Sequence, residues 1–191
     1  MSTNSVVAYL NEDGSVVSSY VHYDGYETGV GMTLLEHYNT DKCARDLAST
    51  LGYASSLSET VAESHADRVH TDEPEIFESM EEFETYLMDN SHLEFGYLWT
   101  GGKWMVSSWT TTVEGTGPYA EYNSTWNGFH WLVTSFVREG RKTVERFRDR
   151  ALEDNREGRT EYDEFADELE VTVDKWHRYG MGEIASEAMA A

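Results

Sequence analysis

The sequence predicts an α+β fold: a four-stranded antiparallel sheet built from two hairpins and packed with helices, followed by a C-terminal helical hairpin. Three observations predict it. Two pairs of β-branched and aromatic runs each flank a tight turn, over residues 5–23 and 95–108. Helical spacing of apolar residues fills much of the chain between them. Two long stretches with the same spacing close the sequence. The organisation that follows is a sheet domain over 1–109, a connecting loop over 110–125, and a helical hairpin with its tail over 126–191, the two parts packed as one unit.

The first hairpin joins Ser5–Leu10 to Ser15–Tyr23 through Asn11-Glu12-Asp13-Gly14. An Asp-Gly pair between two such runs is a strong hairpin signal. In the second run Val17, Ser19, Val21 and Tyr23 alternate with Val16, Ser18, Tyr20 and His22. That alternation predicts one buried face. Asp24-Gly25-Tyr26 and Gly29-Val30-Gly31 then read as a flexible loop. Met32–Tyr38 reads as a short helix. Asp41 is the expected N-cap of a second, with Ala44, Leu47, Ala48 and Leu51 on one face and Gly52 just beyond its end. Ser56-Leu57-Ser58-Glu59 matches a capping box and predicts a third helix through Val61 to about Val69. Ser79-Met80-Glu81-Glu82 predicts a fourth, with Met80, Phe83 and Leu87 inward.

The second hairpin alternates Phe95, Tyr97 and Trp99, turns at Gly101-Gly102, and continues through Trp104, Val106 and Ser108. Residues 110–125 are rich in Thr, Gly, Ser and Asn and read as a connection. Helical spacing returns from about Trp126, with Gly140 on the apolar face. A glycine there either admits a close neighbour or breaks the helix. Thr160 is the expected cap of the last helix, and the tail beyond Tyr179 is expected to fray.

Composition narrows the function. The 191 residues hold 36 Asp and Glu against 14 Lys and Arg, a formal charge of −22. Direct binding to nucleic acid or to an anionic membrane is therefore not expected, because cations carry both. Aromatics make up 13% of the chain, enough bulk to fold around despite the charge. No apolar run is long enough for a transmembrane helix, and the first residues carry no basic and apolar leader pattern. Cys43 is the single cysteine, so no intrachain disulfide forms and a Cys-rich zinc site is excluded. The charge is uneven. Residues 59–94 hold 12 acids against Arg68, and residues 160–191 hold 9 acids. Residues 138–159 carry 8 basic against 6 acidic side chains. The plain expectation for that basic segment is a helix pairing with acids of the same molecule.

Val21-His22-Tyr23-Asp24-Gly25-Tyr26, Gly29-Val30-Gly31 and Leu34-Leu35-Glu36-His37-Tyr38-Asn39 resemble the opening of a family of small uncharacterised bacteriophage proteins. Phe95-Gly96-Tyr97-Leu98-Trp99 and Gly102-Lys103-Trp104 resemble its second hairpin. The resemblance covers about residues 5–109. It implies a phage origin and the cytoplasm of an infected host cell, and no mechanism.

Several candidate sites weigh little. His22 and Asp24 fit a base and its orienter, or two metal ligands, but a strand end and a turn explain them as well. His65, Asp67, His70, Asp72 and Glu73 form a ligand-rich patch without the one-face spacing of a metal helix. Cys43 and His37 could pair as nucleophile and base, with no oxyanion donor in view. No cofactor is expected. The pattern taken as the partner surface is acidic: Glu75, Glu78, Glu81, Glu82 and Glu84 on one predicted helix, and Glu161, Asp163, Glu164, Asp167, Glu168, Glu170 and Asp174 on another. Like charges at i, i+4 cost roughly 0.2–0.5 kcal/mol a pair, so such clustering is either tolerated for solubility or selected for a basic partner. The expected function is a non-enzymatic interaction protein that imitates DNA toward a basic, DNA-binding host protein. An acidic surface adapted to salt, or reflecting GC-rich coding, is the competing explanation. The other classes are an enzyme with its site at the Asp24–Gly31 loop, a phage assembly protein docking through the Trp-rich hairpin, and, for assembly state, a homodimer.

Overall fold

A computed structural model describes residues 2–66, 72–114, 121–153 and 160–183. The chain runs β1 (Ser5–Leu10), β2 (Val16–Val21), a π-helical turn (Glu27–Gly31), α1 (Met32–His37), α2 (Asp41–Thr50), β3 (Tyr53–Ala54) and α3 (Val61–Ala66). It continues with β4 (Glu75–Phe77), α4 (Met80–Asp89), β5 (Phe95–Thr100), β6 (Lys103–Glu114), β7 (Glu121–Trp126), β8 (His130–Trp131), α5 (Leu132–Glu153) and α6 (Glu161–Gly180). None of the described helices is long and apolar enough to cross a membrane.

Both hairpins form where turn chemistry placed them. Val7 pairs with Ser19 and Tyr9 with Val17, while Tyr97 pairs with Val106 and Trp99 with Trp104. Gly101 and Gly102 take φ of +57° and +74°, as a two-residue turn between twisted strands requires. The sheet itself is larger than the expected four-stranded antiparallel one, and mixed. It has eight strands along β3-β2-β1-β5-β6-β7, with β4 also on β2 and β8 also on β6. The hairpins join through a parallel pair, β1 on β5. The loop expected over 110–125 is largely strand: β6 continues to Glu114 and β7 returns from Glu121, with Trp109 opposite Trp126. Helix α5 starts at Leu132 rather than near Trp126, because β8 first adds His130 and Trp131 to β6.

β1 and β2 are buried on both faces, against the single buried face their alternation suggested. Helices cover both sides of the sheet. Val6, Ala8 and Leu98 face Phe83 and Leu87 of α4. Val7, Tyr9, Tyr97 and Trp99 face the layer of α1, α2, α5 and α6. The helical hairpin therefore belongs to one core with the sheet. Trp99 and Trp104 are 3% and 1% exposed and meet edge to face, so the hairpin tryptophans are core and offer no docking surface.

Helix ends follow side-chain chemistry. Thr40, not Asp41, caps α2 by accepting from the Cys43 N–H. The box before α3 is Thr60 with Glu63, one turn later than the Ser56–Glu59 match. Thr160 caps α6 as expected, in a reciprocal box with Asp163. Thr160→Ala is expected to cost about 1 kcal/mol, read as a lower urea midpoint at unchanged slope. Of the tail expected to fray beyond Tyr179, Gly180 closes α6 and residues 181–183 form a turn, and the part from 184 onward lies outside the described residues.

Buried phenols set the alkaline limit of the fold. Burial pushes Tyr38 up to about 12, and drives Tyr97, which hydrogen-bonds Gly25 O, well above its ordinary value. Unfolded, both ionise near about 10. The unfolded chain thus loses those protons first, and stability present below about pH 10 is lost as pH rises toward 12. Melting temperature should hold to about pH 10 and then fall, and Tyr38→Phe should flatten part of that fall.

Candidate functional site

Sequence separation hides where the two acidic groups lie. α4 packs on one face of the sheet and α6 belongs to the layer on the other. The twelve acids therefore cannot form one surface.

Their local settings differ too. Glu75 is in β4 and Glu78 precedes the helix, because Ser79 caps α4 by accepting from the Glu82 N–H. Only Glu81, Glu82 and Glu84 of the first group are helical. The Glu82 carboxylate accepts from the Glu78 N–H at 2.7 Å, and Glu75 hydrogen-bonds Tyr86. Among the described residues no cation pairs with Glu73, Glu75, Glu78, Glu81, Glu82, Glu84, Asp89 or Glu94. The only Lys or Arg between Asp46 and Lys103 in the sequence is Arg68. Met88, 47% exposed, lies on the outward side of α4 one turn beyond Glu84.

The α6 acids are partly spent inside the molecule. At 3.6 residues per turn they form two stripes, about 130° apart, either side of the buried Leu169–Val173–Trp176 line. On one stripe Asp163 completes the cap, and Asp167 and Glu170 hold Arg148 of α5 at 3.1 and 2.5 Å. Glu161, Glu164 and Glu168 make the other stripe, and Glu168 lines a groove of about 370 Å³ with Tyr26, Arg146, Phe147 and Phe165. The basic segment thus pairs inward in part, through Arg138 and Lys142 to Glu139 and Arg148 to α6. Burial alone would raise Glu139, but hydrogen bonds from Arg138 and Lys142 outweigh it and leave the carboxyl below its ordinary value.

The small candidate sites do not assemble. His22 Nδ1 lies 3.1 Å from the Tyr20 hydroxyl, while Asp24 accepts from Tyr26, and no hydrogen bond joins His22 to Asp24. Cys43 is half-buried and His37 exposed, with no hydrogen bond between them. Of the 65–73 patch, residues 67–71 lie outside the described residues, and Asp72 and Glu73 line a cavity with Tyr20, Tyr53 and Tyr86. No three His, Cys, Asp or Glu side chains are placed to hold a metal among the described residues.

The sequence reading missed Glu27. The π-helical turn carries it into the interior, 8% exposed, where Oε1 accepts from Ser135 Oγ at 2.8 Å. Arg138 Nη2 donates to the same Ser135 oxygen at 3.2 Å while its Nε donates to Glu139. Glu27 and Arg138 line a polar cavity of about 510 Å³ with Phe95, Ser108, Asn127 and His130. No protein-family model, curated protein or solved structure matches this chain.

Proposed function

We propose that the protein acts by binding rather than catalysis: it presents the outer face of α4 and the segment before it to a basic, DNA-binding protein, in place of DNA. The observation that carries this reading is the run of carboxylates from Glu73 to Glu94, which no described cation neutralises. Local structure accounts for two of them, since Glu82 serves the cap and Glu81 sits in the first turn, where the helix dipole favours an anion. Glu78, Glu84 and Asp89 have no such role, and Asp89 at the C-terminal end of α4 opposes the dipole.

Charge density sets what this face can do. α4 is about 15 Å long and carries four acids, Glu81, Glu82, Glu84 and Asp89. The same length of duplex carries about nine phosphate charges. A face at about half that density attracts a cationic groove but needs an apolar contact to hold it, and Met88 supplies one among the carboxylates. The phage resemblance over residues 5–109 supports a host DNA-binding or defence protein as the partner.

The test is affinity capture from host lysate with three full-length baits: the wild type, a variant with Glu78, Glu81, Glu84 and Asp89 changed to Lys, and a variant with Glu161, Glu164 and Glu168 changed to Lys. Glu75 and Glu82 are spared because they hold Tyr86 and the Glu78 N–H. The wild type and the α6 variant should retain the same DNA-binding protein and the α4 variant should lose it. Equal retention by all three overturns the reading.

A further inference from the structure

Beyond Ser108, β6 and β7 form a two-stranded ribbon, and one backbone edge of it carries no strand. β7 ends the sheet, on the side away from β3 and β4, and pairs only with β6 among the described strands. The register fixes which of its main-chain groups face outward. Trp109 stands opposite Trp126, and the Asn127 N–H donates to the Ser108 carbonyl. In an antiparallel ladder, pairs that exchange main-chain hydrogen bonds alternate with pairs that do not. Thr110–Thr125 and Thr112–Asn123 are therefore bonded pairs. Tyr122, Ser124 and Trp126 turn their N–H and C=O away from β6. The matching outward positions on β6, Thr111 and Val113, form a shorter edge beyond Phe95, where β5 begins opposite Ser108.

Open edges are usually guarded by lysine, proline or a bulge. β7 contains no lysine and no proline, and its pairing with β6 is continuous from Trp126 to Glu121. From Met105 to Trp126 the only charged residues are Glu114 and Glu121, although 26% of the chain is charged. Those two lie opposite each other at the far end of the ribbon. A two-stranded ribbon is marginal by itself, and further strands stabilise it.

Charge and symmetry select the occupant. Each copy of this chain carries −22, so two copies repel, and least where the surface is neutral. A two-fold axis brings the same edge in from both sides and sets the strands antiparallel. The glutamate ends then point in opposite directions. With the overlap centred near Ser124, the two Glu121 stand farther apart than the Debye length of about 8 Å at physiological salt. A basic segment of another protein would find no carboxylate among Tyr122–Trp126 to pair with.

We infer that two copies of this chain associate edge to edge, β7 against antiparallel β7, to continue the ribbon as a four-stranded layer. Pairing over so short a strand is a small interface, so the dimer is weak and forms at high protein concentration.

Sedimentation velocity of the full chain, from about 5 to 500 µM at about 150 mM salt, tests it. The average mass should rise with concentration from that of one copy toward two. Ser124→Pro removes an outward N–H from each copy and none that bonds to β6. It should weaken the dimer about tenfold or more. Ser124→Glu puts carboxylates at the middle of both edges and should weaken it about threefold or more, and it serves if the proline disturbs the ribbon. Thr111→Pro loses the same 2.9 Å Thr111–Ser124 hydroxyl contact but alters the opposite edge, and should leave the dimer unchanged. A single copy at every concentration overturns the inference, as does a dimer unaffected by both Ser124 variants. Loss of the dimer in Thr111→Pro as readily as in Ser124→Pro also overturns it. Every α4 carboxylate is intact in these variants, so partner capture can fail or succeed without bearing on this edge.

Discussion

Replacing Gly140 by Leu should destabilise the protein by about 1–3 kcal/mol, although the same change in an isolated helix would gain close to about 1 kcal/mol. A Cβ at Gly140 falls inside the contact radius of Val173 Cγ2, and lies 3.9 Å from Thr28 Cγ2. α5 and α6 meet there at a distance only glycine allows. The helices cannot part cheaply, because α6 is tied elsewhere: Lys175 reaches Glu36 at 3.0 Å, Trp176 Nε1 donates to the same carboxylate, and Trp176 is fully buried. Thermal melting should show a drop of about 2–4 °C per kcal/mol for a chain this size. Val173→Ala makes room on the opposite side. Combined with Gly140→Leu it should recover part of the loss, whereas in the wild type it should cost stability, so the double-mutant cycle has a coupling of opposite sign to either single change. A Gly140→Leu variant that melts higher than wild type would place the helices farther apart than described.

The α4 lysine variant should show the largest effect on binding. Single exposed ion pairs contribute about 0.2–1 kcal/mol, so one reversal weakens the complex by less than about tenfold. Reversal also turns attraction into repulsion. Four reversals on one face change its charge by about eight units and should reduce affinity by more than about a hundredfold, mostly by slowing association. The fold should tolerate them. Glu78, Glu81 and Asp89 are exposed, and a lysine in place of Asp89 suits the C-terminal end of α4. A lysine in place of Glu81 faces the opposite end of the dipole and costs about 0.3–1 kcal/mol. Stopped-flow association of the captured partner, with melting curves as the control, checks both points.

What was legible in the sequence was what local chemistry determines. The Asp-Gly and Gly-Gly turns placed both hairpins, and Thr160, Ser79 and Gly52 placed helix ends, because each acts on neighbours close by in the chain. The β1–β5 pairing has no local signal: its strands are joined through β2, four helices and two short edge strands. The extension of β6 beyond Trp109 had a signal that composition masked. Thr110, Thr111, Thr112 and Val113 are β-branched, but Thr, Ser and Asn also make loops. Trp126 and Phe129 matched helical spacing by coincidence and in fact precede α5. The acidic runs were visible, yet sequence spacing could not show that α4 and α6 occupy opposite layers. Glu27 was invisible as a site because its partner, Ser135, is 108 positions away.

Whether the α4 face stands in for DNA is tested most directly by competition on the captured partner. The partner is bound to immobilised protein, then washed with increasing concentrations of duplex DNA, and separately with salt raised from about 50 to 200 mM. If the carboxylates occupy the partner's DNA groove, excess duplex should displace it, and affinity should fall steeply with salt, as it does for basic proteins on DNA. A partner that stays bound under saturating duplex, or that is indifferent to salt, contradicts DNA mimicry by this face.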